Sequence, residues 1–352
     1  MAKFEIGNKI FGDDCPTLLI SEVGVNHNGS IERGYKLIEA SVKSGADIVK
    51  FQTYKASQIV TRTAKRYWDD KLNDDNKIGS QYDTFSKLDS MTLDGFKLLK
   101  KKCDELQTIF CSTPFNLPDV DLLEEVGVNV YKISSSDITY HDLIDYVASK
   151  NKPIILSTGC ATIGEIEKAV NIIKSRNSLS ILLQHCILQY PCADENANLV
   201  KMSNLKNIFP DIPVGYSDHT IGIEIPAMSV AMGACSVEKH FTIDKKLPNS
   251  PDHKLSVNPN EFKAMHDLIR KYEKAKGTFV NGYYEAEKNA YLHARKSIVS
   301  NQTIEKGTKI TKDMLTAKRP GVGIYPENID FIVGLTAKEK IPEDTILTKN
   351  MF

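Results

Sequence analysis

Up to about residue 275 the chain repeats one unit: a short run of aliphatic and β-branched residues, then a stretch with apolar positions at helical spacing. The runs cover 18–24, 48–52, 109–115, 130–136, 153–159, 180–186, 214–219 and 235–241, which makes eight. Between them, 30–44, 93–106, 119–126, 163–174 and 221–232 are amphipathic and long enough for crossover helices. Strand-helix alternation predicts a parallel sheet. Eight units over about 250 residues predict a (β/α)8 TIM barrel rather than an open doubly wound sheet, and no Gly-x-Gly-x-x-Gly follows the first run.

Nearly every run ends in side chains suited to chemistry. They are Glu22, then Lys50 and Gln52, Ser112 and Thr113, Lys132 with Ser134, Ser135 and Asp137, and Ser157 and Thr158. Gln184 and His185, then Ser217, Asp218 and His219, and last Glu238 and His240, complete the series. In a barrel these ends converge on the C-terminal face, where barrel enzymes keep their active sites. The connection from Gln52 to Ile109 is longer than a barrel loop requires, and its polar, aromatic segment Lys65-Arg66-Tyr67-Trp68-Asp69-Asp70-Lys71 predicts an excursion over the mouth.

After a helix near 261–274 the pattern changes to short β-like segments with Lys/Glu-Gly turns. This predicts a barrel domain over 1–280, a linker over 281–294 and a small β-rich domain over 295–352. A domain of that size has little core of its own. Lys+Arg and Asp+Glu both total 45, so no global field draws the chain to nucleic acid or an anionic membrane. No apolar run approaches the roughly 20 residues of a membrane-spanning helix. The first residues carry no apolar signal core, which predicts a cytoplasmic address. Seven scattered cysteines with no Cys-x-x-Cys pair fit reduced thiols, with Cys111, Cys186 and Cys235 as small hydrophobes.

His219 and His240 end neighbouring runs and can offer two neutral imidazoles to one divalent cation, leaving positions open for water and substrate. With Glu22 near, nitrogen donors suit Mn²⁺, Fe²⁺, Co²⁺ or Zn²⁺ better than Ca²⁺, with Mg²⁺ still open. Either histidine can instead be structural, and His185 reads as packing. Lys50 and Lys132 among Thr113, Ser135, Ser157 and Ser217 suit a phosphate or a phosphorylated carboxylic acid. A Schiff-base lysine or a plain ion pair are the alternatives.

The motifs resemble the sialic acid (N-acetylneuraminate, or nonulosonate) synthases over almost the whole chain. The likeness runs through Ser21-Glu22-Val23-Gly24-Val25-Asn26-His27-Asn28-Gly29, Val49-Lys50-Phe51-Gln52-Thr53, Cys111-Ser112-Thr113-Pro114-Phe115 and Tyr131-Lys132-Ile133-Ser134-Ser135. It continues through Leu156-Ser157-Thr158-Gly159, Gln189-Tyr190-Pro191, Gly215-Tyr216-Ser217-Asp218-His219-Thr220, Glu238-Lys239-His240-Phe241 and Ser250-Pro251-Asp252-His253. The tail from Arg295 resembles the small antifreeze-like SAF domain that closes these enzymes, with Lys318-Arg319-Pro320-Gly321 among its motifs.

The resemblance implies condensation of phosphoenolpyruvate with the open-chain aldehyde of an N-acylated mannosamine-type sugar, releasing phosphate and a 2-keto acid. It implies a divalent metal, Mn²⁺ or Mg²⁺ with Co²⁺ as an option, on His219 and His240. Phosphoenolpyruvate would be held by Lys50, Thr113, Lys132, Ser135, Ser157 and Ser217, with Glu22 orienting or deprotonating water and Asp137 a second carboxylate at the sugar end. Gln52, Tyr190, Asp252 and Arg319 would contact the sugar, the arginine coming from the partner subunit's small domain in a swapped homodimer. N-acetylneuraminate synthase is the first assignment, N,N'-diacetyllegionaminate synthase the alternative, with pseudaminate and other phosphoenolpyruvate-dependent keto acid synthases behind them. Phe51 and Leu188 stand where neuraminate enzymes often carry His and Asn, Asp137 where a Glu is common, and these departures predict different sugar contacts.

Overall fold

The computed structural model describes residues 2–69, 79–176, 179–248 and 250–352. It divides into two compact units, 1–276 and 277–352. The first unit begins with an antiparallel hairpin, β1 (Lys3–Ile6) and β2 (Lys9–Gly12). Eight parallel strands follow: β3 (Leu18–Gly24), β4 (Ile48–Thr53), β5 (Ile109–Pro114), β6 (Tyr131–Ile133), β7 (Ile154–Ser157), β8 (Ile181–Cys186), β9 (Val214–Asp218) and β10 (Ser236–His240). They close in the order β10-β3-β4-β5-β6-β7-β8-β9, so the sheet has no free edge and the predicted barrel is present. The run read as 130–136 is shorter as a strand. Past Ile133 the Ser134 hydroxyl accepts from the Ser136 N–H, a local bond that turns the chain out of the ladder into a 3-10 turn, Ser135–Asp137.

Alternation of side chains along each strand sorts the residues into an interior and a shell. Inside the barrel, Leu18, Ile20, Ile48, Cys111, Ile155 and Leu182 pack as a wholly buried apolar layer near the N-terminal strand ends. Phe4, Ile6 and Phe11 of the hairpin join that layer and plug the bottom of the barrel. Outward positions such as Leu19, Val23, Val49, Phe110, Leu156 and Val237 pack against the helices. Among those helices, Ile31–Lys43 and Leu93–Glu105 start where read, at Ser30 and Thr92, whose hydroxyls accept from Arg33 and Gly95 N–H groups. With both layers in place, the inward positions left over are the polar ones at the C-terminal strand ends.

The interior is tight enough to dictate backbone choice. A Cβ on Gly215 would lie 1.9 Å from the Ser236 Oγ of the neighbouring strand, so glycine is required where β9 and β10 approach.

The second unit pairs β11 (Ser297–Ser300) with β12 (Leu315–Lys318), antiparallel, over a core of Ile298, Ile304, Ile310, Leu315, Ile341 and Leu347. The segment 281–294 lies within this unit and contains the helix Lys288–His293. Just beyond it, the Arg295 guanidinium sits 4.7 Å from the ring centres of both Tyr291 and Tyr325. No helix among the described residues is long and apolar enough to cross a membrane.

Candidate active site

The barrel mouth is organised around buried charges on neighbouring strands. Lys50 Nζ lies 2.6 Å from Glu22 Oε2 and 3.4 Å from Glu238 Oε1, and it donates to Thr113 Oγ1 at 3.3 Å. Lys132 Nζ donates to both Glu238 oxygens, at 3.1 and 3.0 Å, and Ser217 Oγ donates to Glu238 Oε1 at 3.3 Å. Glu238 therefore bridges the two lysines. Burial pushes its carboxyl up, but the ammonium groups of Lys132 and Lys50 outweigh that and hold it at about 2. Burial works against the charge on Lys50, yet Glu22 and Glu238 keep it above the ordinary lysine value. Glu22 is pushed up by burial against the opposing pull of Lys50, and its Oε1 accepts from the Gln52 amide at 2.9 Å.

Beside this cluster stand the two histidines, their ring centres 5.4 Å apart. Burial pushes His219 down to about 4 and His240 well below its ordinary value, so both are neutral donors. His219 Nδ1 lies 2.7 Å from the Ile187 carbonyl oxygen, a partner that can only accept. The proton is thereby assigned to Nδ1, and Nε2 is left with its lone pair. His240 Nδ1 is buried with no hydrogen bond and lies 3.6 Å from Asp252 Oδ2. Among the described residues no group of three or more His, Cys, Asp or Glu side chains is placed to hold a metal. His219 and His240 are two neutral imidazoles that could hold a divalent cation, with its remaining positions left to water and substrate.

Glu22, Lys50, Thr113, Lys132, Ser135, Ser157, Ser217 and His219 line an inner pocket together with Gln52, Tyr190 and His240. Ser135 Oγ is held by the Gly159 N–H at 2.8 Å, and Ser157 Oγ donates to Gln184 at 3.4 Å. Gln52, Tyr190 and His240 also line an adjoining outer chamber of about 320 Å³ that includes Asp137 and Asp252. The Tyr190 ring packs on His219 with centres 3.9 Å apart. Of the predicted site residues, Arg319 alone lies outside the barrel unit, exposed on the second unit next to the cis Arg319–Pro320 peptide.

The outer chamber is mostly apolar and aromatic, with Val25, Tyr54, Trp68, Phe85, Phe115 and Leu188 in its wall. Tyr67 and Trp68 reach it from the long connection after β4, and Asp69 N–H donates to the Tyr190 carbonyl. Asp70 and Lys71, read as part of the same excursion, lie outside the described residues. Lys50 and Gln52 take the inward positions of β4, and Phe51, the departure noted in the sequence, points outward, wholly buried and stacked on Phe110 at 5.3 Å. His185 also points outward, its Nε2 2.8 Å from the Ala197 carbonyl oxygen. Sequence reasoning noted Glu238 as a strand-end residue but gave it no role. The signal was its parity with His240, two residues on and facing the same way.

Burial lifts Asp137 to about 7. Its folded value lies above the ordinary 3.8, so the cost of charging it in place grows as pH rises from about 3.8 through 7. Burial lifts Asp252 of the same chamber to about 7 as well, so if Asp137 acts as a carboxylate on the sugar, kcat/KM for the sugar rises as pH climbs through about 7 and Asp137→Asn reshapes that limb, leaving the part that Asp252 carries. A pH profile unchanged by Asp137→Asn would exclude the role.

Compared with known proteins, residues 37–281 match the NeuB family and residues 295–352 match the SAF domain. The chain is 40% identical over 335 residues to the N,N'-diacetyllegionaminic acid synthase of Campylobacter jejuni, covering 94% of this chain and 98% of that one. It is 38% identical over 345 residues to the protein of the same name from Legionella pneumophila, covering 97% and 96%. Among solved structures, the N-acetylneuraminic acid (sialic acid) synthetase of Leptospira borgpetersenii matches with a TM-score of 0.71 at 31% identity, covering 82% of this chain and 94% of that one.

Proposed function

The chain belongs to the NeuB family, and from that premise we propose that it condenses phosphoenolpyruvate with the open-chain aldehyde of an N-acylated mannosamine-type sugar. The observation that carries the reading is the pair of buried lysines, Lys50 and Lys132, beside two neutral histidines at the floor of the outer chamber. Lys50 and Lys132, with Thr113, Ser135, Ser157 and Ser217, hold the phosphate and carboxylate of phosphoenolpyruvate by charge-assisted hydrogen bonds. Glu238 balances both ammonium groups before the anion arrives.

Gln52, Tyr190 and Asp252 hold the sugar so that its aldehyde carbon meets the enol carbon, a positioning effect that raises the effective concentration of the reacting atoms. A divalent cation on His219 and His240 supplies Lewis-acid polarisation of the aldehyde oxygen when bound. After the carbon-carbon bond forms, C2 of the former enol is electron-poor and takes up water that Glu22 orients or deprotonates. The tetrahedral product then loses phosphate by carbon-oxygen cleavage.

For the sugar, we favour 2,4-diacetamido-2,4,6-trideoxymannose, giving a legionaminate-type product. The sequence placed N-acetylmannosamine first, but the apolar wall around Leu188, Val25 and Phe115 suits a 6-deoxy sugar with a second acyl group, and two relatives carry the legionaminic name. N-acetylmannosamine is the second reading, favoured by the sialic acid synthetase structure. The test is phosphate release by metal-stripped protein given phosphoenolpyruvate and Mn²⁺ with each sugar in turn. Release mainly with the diacetamido sugar supports the first reading, release mainly with N-acetylmannosamine the second, and silence with both rules out both sugars and sends the search to other acceptor aldehydes.

We also propose that Arg319 of the partner subunit meets the N-acyl carbonyl in a homodimer. Mixed dimers of an Arg319→Ala chain and a Lys50→Ala chain should then regain part of the activity that neither homodimer has. Confirmed heterodimers without activity would rule out a site shared in trans.

A further inference from the structure

Directly behind the two histidines, on the outer face of the barrel, lies a buried ion pair. Lys239 on β10 is wholly buried, and its Nζ donates to Asp218 Oδ2 and to the backbone carbonyl of Thr220. Asp218 in turn accepts from the Thr220 N–H at 3.1 Å and the Thr220 hydroxyl at 3.0 Å. Each member of the pair immediately precedes a histidine: Asp218 precedes His219, and Lys239 precedes His240.

The register explains why this matters. β9 and β10 pair as Tyr216 with Val237, Ser217 with Glu238 and Asp218 with Lys239, and the paired register ends there. Beyond that rung His240 is held from one side, through pairing with Glu22 and the Val257 N–H bond to its carbonyl. His219 is held from the other side, by the Ile187 carbonyl on its ring and the Cys192 N–H on its own carbonyl. Across the gap between these two strand ends, the Lys239 ammonium is the link that reaches from β10 to Thr220, past the last backbone rung.

We propose that the Asp218–Lys239 pair is a positioning element that sets the separation and facing of His219 and His240; this rests on the reading of those histidines as the metal donors. Its members point away from the mouth and line neither the inner pocket nor the outer chamber. A buried ion pair in a purely structural setting is replaced by apolar or neutral residues at little or no loss of stability, because desolvating two charges offsets their attraction. What a neutral pair lacks is a directional bond to the Thr220 carbonyl, and that bond fixes where the chain after His219 runs relative to His240. Because side chains that ligate metals are oriented by the bonds behind them, loss of this link acts on the site without touching it.

The test is the double variant Lys239→Met with Asp218→Asn, which removes both charges and the link while leaving an amide oxygen for the Thr220 N–H. On the purified full-length protein, Mn²⁺ affinity is read from the electron paramagnetic resonance of the free ion, the histidine geometry from a metal-free crystal structure, and the fold from thermal unfolding. The dissociation constant should rise by roughly 10–100-fold. The ring centres should depart from 5.4 Å by about 1 Å, with the melting temperature held within a few degrees. An unchanged ring separation with an Mn²⁺ affinity within about twofold of the parent in a folded variant would overturn the proposal. Should the parent protein bind no Mn²⁺, the reading of the histidines fails, and the crystal geometry alone decides whether the pair positions them. If the double variant does not fold, Lys239→Gln, which is uncharged and one bond shorter than the lysine, carries the same measurements.

Discussion

Replacing Lys50 by Met is expected to lower kcat/KM for phosphoenolpyruvate by roughly a hundred- to a thousandfold, the loss typical of removing one donor that meets developing charge in a dry site. Lys50 is the centre of the cluster, with Glu22 at 2.6 Å, Glu238 at 3.4 Å and Thr113 at 3.3 Å. Its loss is also a stability event. Glu238 keeps Lys132, but Glu22 loses its counter-charge in a buried position, where breaking one partner of a buried pair costs about 3–5 kcal/mol. Glu22 then takes up a proton, so part of that cost is relieved at lower pH.

Stability and chemistry separate in the double variant Lys50→Met with Glu22→Gln, which should melt near the parent temperature and remain inactive. Thermal unfolding and phosphate-release kinetics on both variants check this. Full activity in Lys50→Met would remove the lysine from the anion site. In the parent, Glu238 is held at about 2, below its ordinary 4.5, so its ion pairs stabilise the fold above pH 4.5 and that contribution fades as pH falls toward 2.

His240→Ala is expected to abolish measurable Mn²⁺ binding and to lower turnover by about a thousandfold or more, since polarisation of a carbonyl by a cation is worth several kcal/mol of barrier. The expectation follows from the small donor set. Among the described residues, only His219 and His240 offer imidazoles at the mouth, and if both are ligands, removing one halves the protein's share of the coordination shell. His219 remains oriented by the Ile187 carbonyl in the variant, so a residual low-affinity site is the most that should be detected. Titration of Mn²⁺ into stripped protein separates this from a structural effect: a folded variant that binds the ion as the parent does, and turns over, would show that His240 is not a ligand.

Much of this site was readable because a barrel strand carries its functional residues at its C-terminal end. Glu22, Lys50, Lys132, Ser217, His219 and His240 all end predicted runs, and the structure gathers them in one pocket. The N-terminal hairpin was missed although Gly7-Asn8 separates two alternating segments, because four-residue strands carry too little pattern to stand out beside the repeated units. In the wall of the outer chamber, Trp68 was read as part of an excursion over the mouth, whereas Phe85 and Val25 were missed. They come from a short helix and a loop whose spacing carries no period, so their convergence depends on how the long connection folds.

What the sequence determined by itself is the class of fold and the inventory of the mouth: eight units with a polar residue at each strand end, and a tail of different grammar. What only the tertiary structure decided is which of those residues face each other. Both faces of a closed barrel's strands are buried, one against the interior and one against helices, so the alternation of polar and apolar residues does not say which parity points inward. For that reason the sequence did not say that Phe51, between the inward-facing Lys50 and Gln52, lies in the shell. The same parity puts Glu238 between two lysines and turns Lys239 outward to Asp218, a pairing set by the register of two strands rather than by any spacing along the chain.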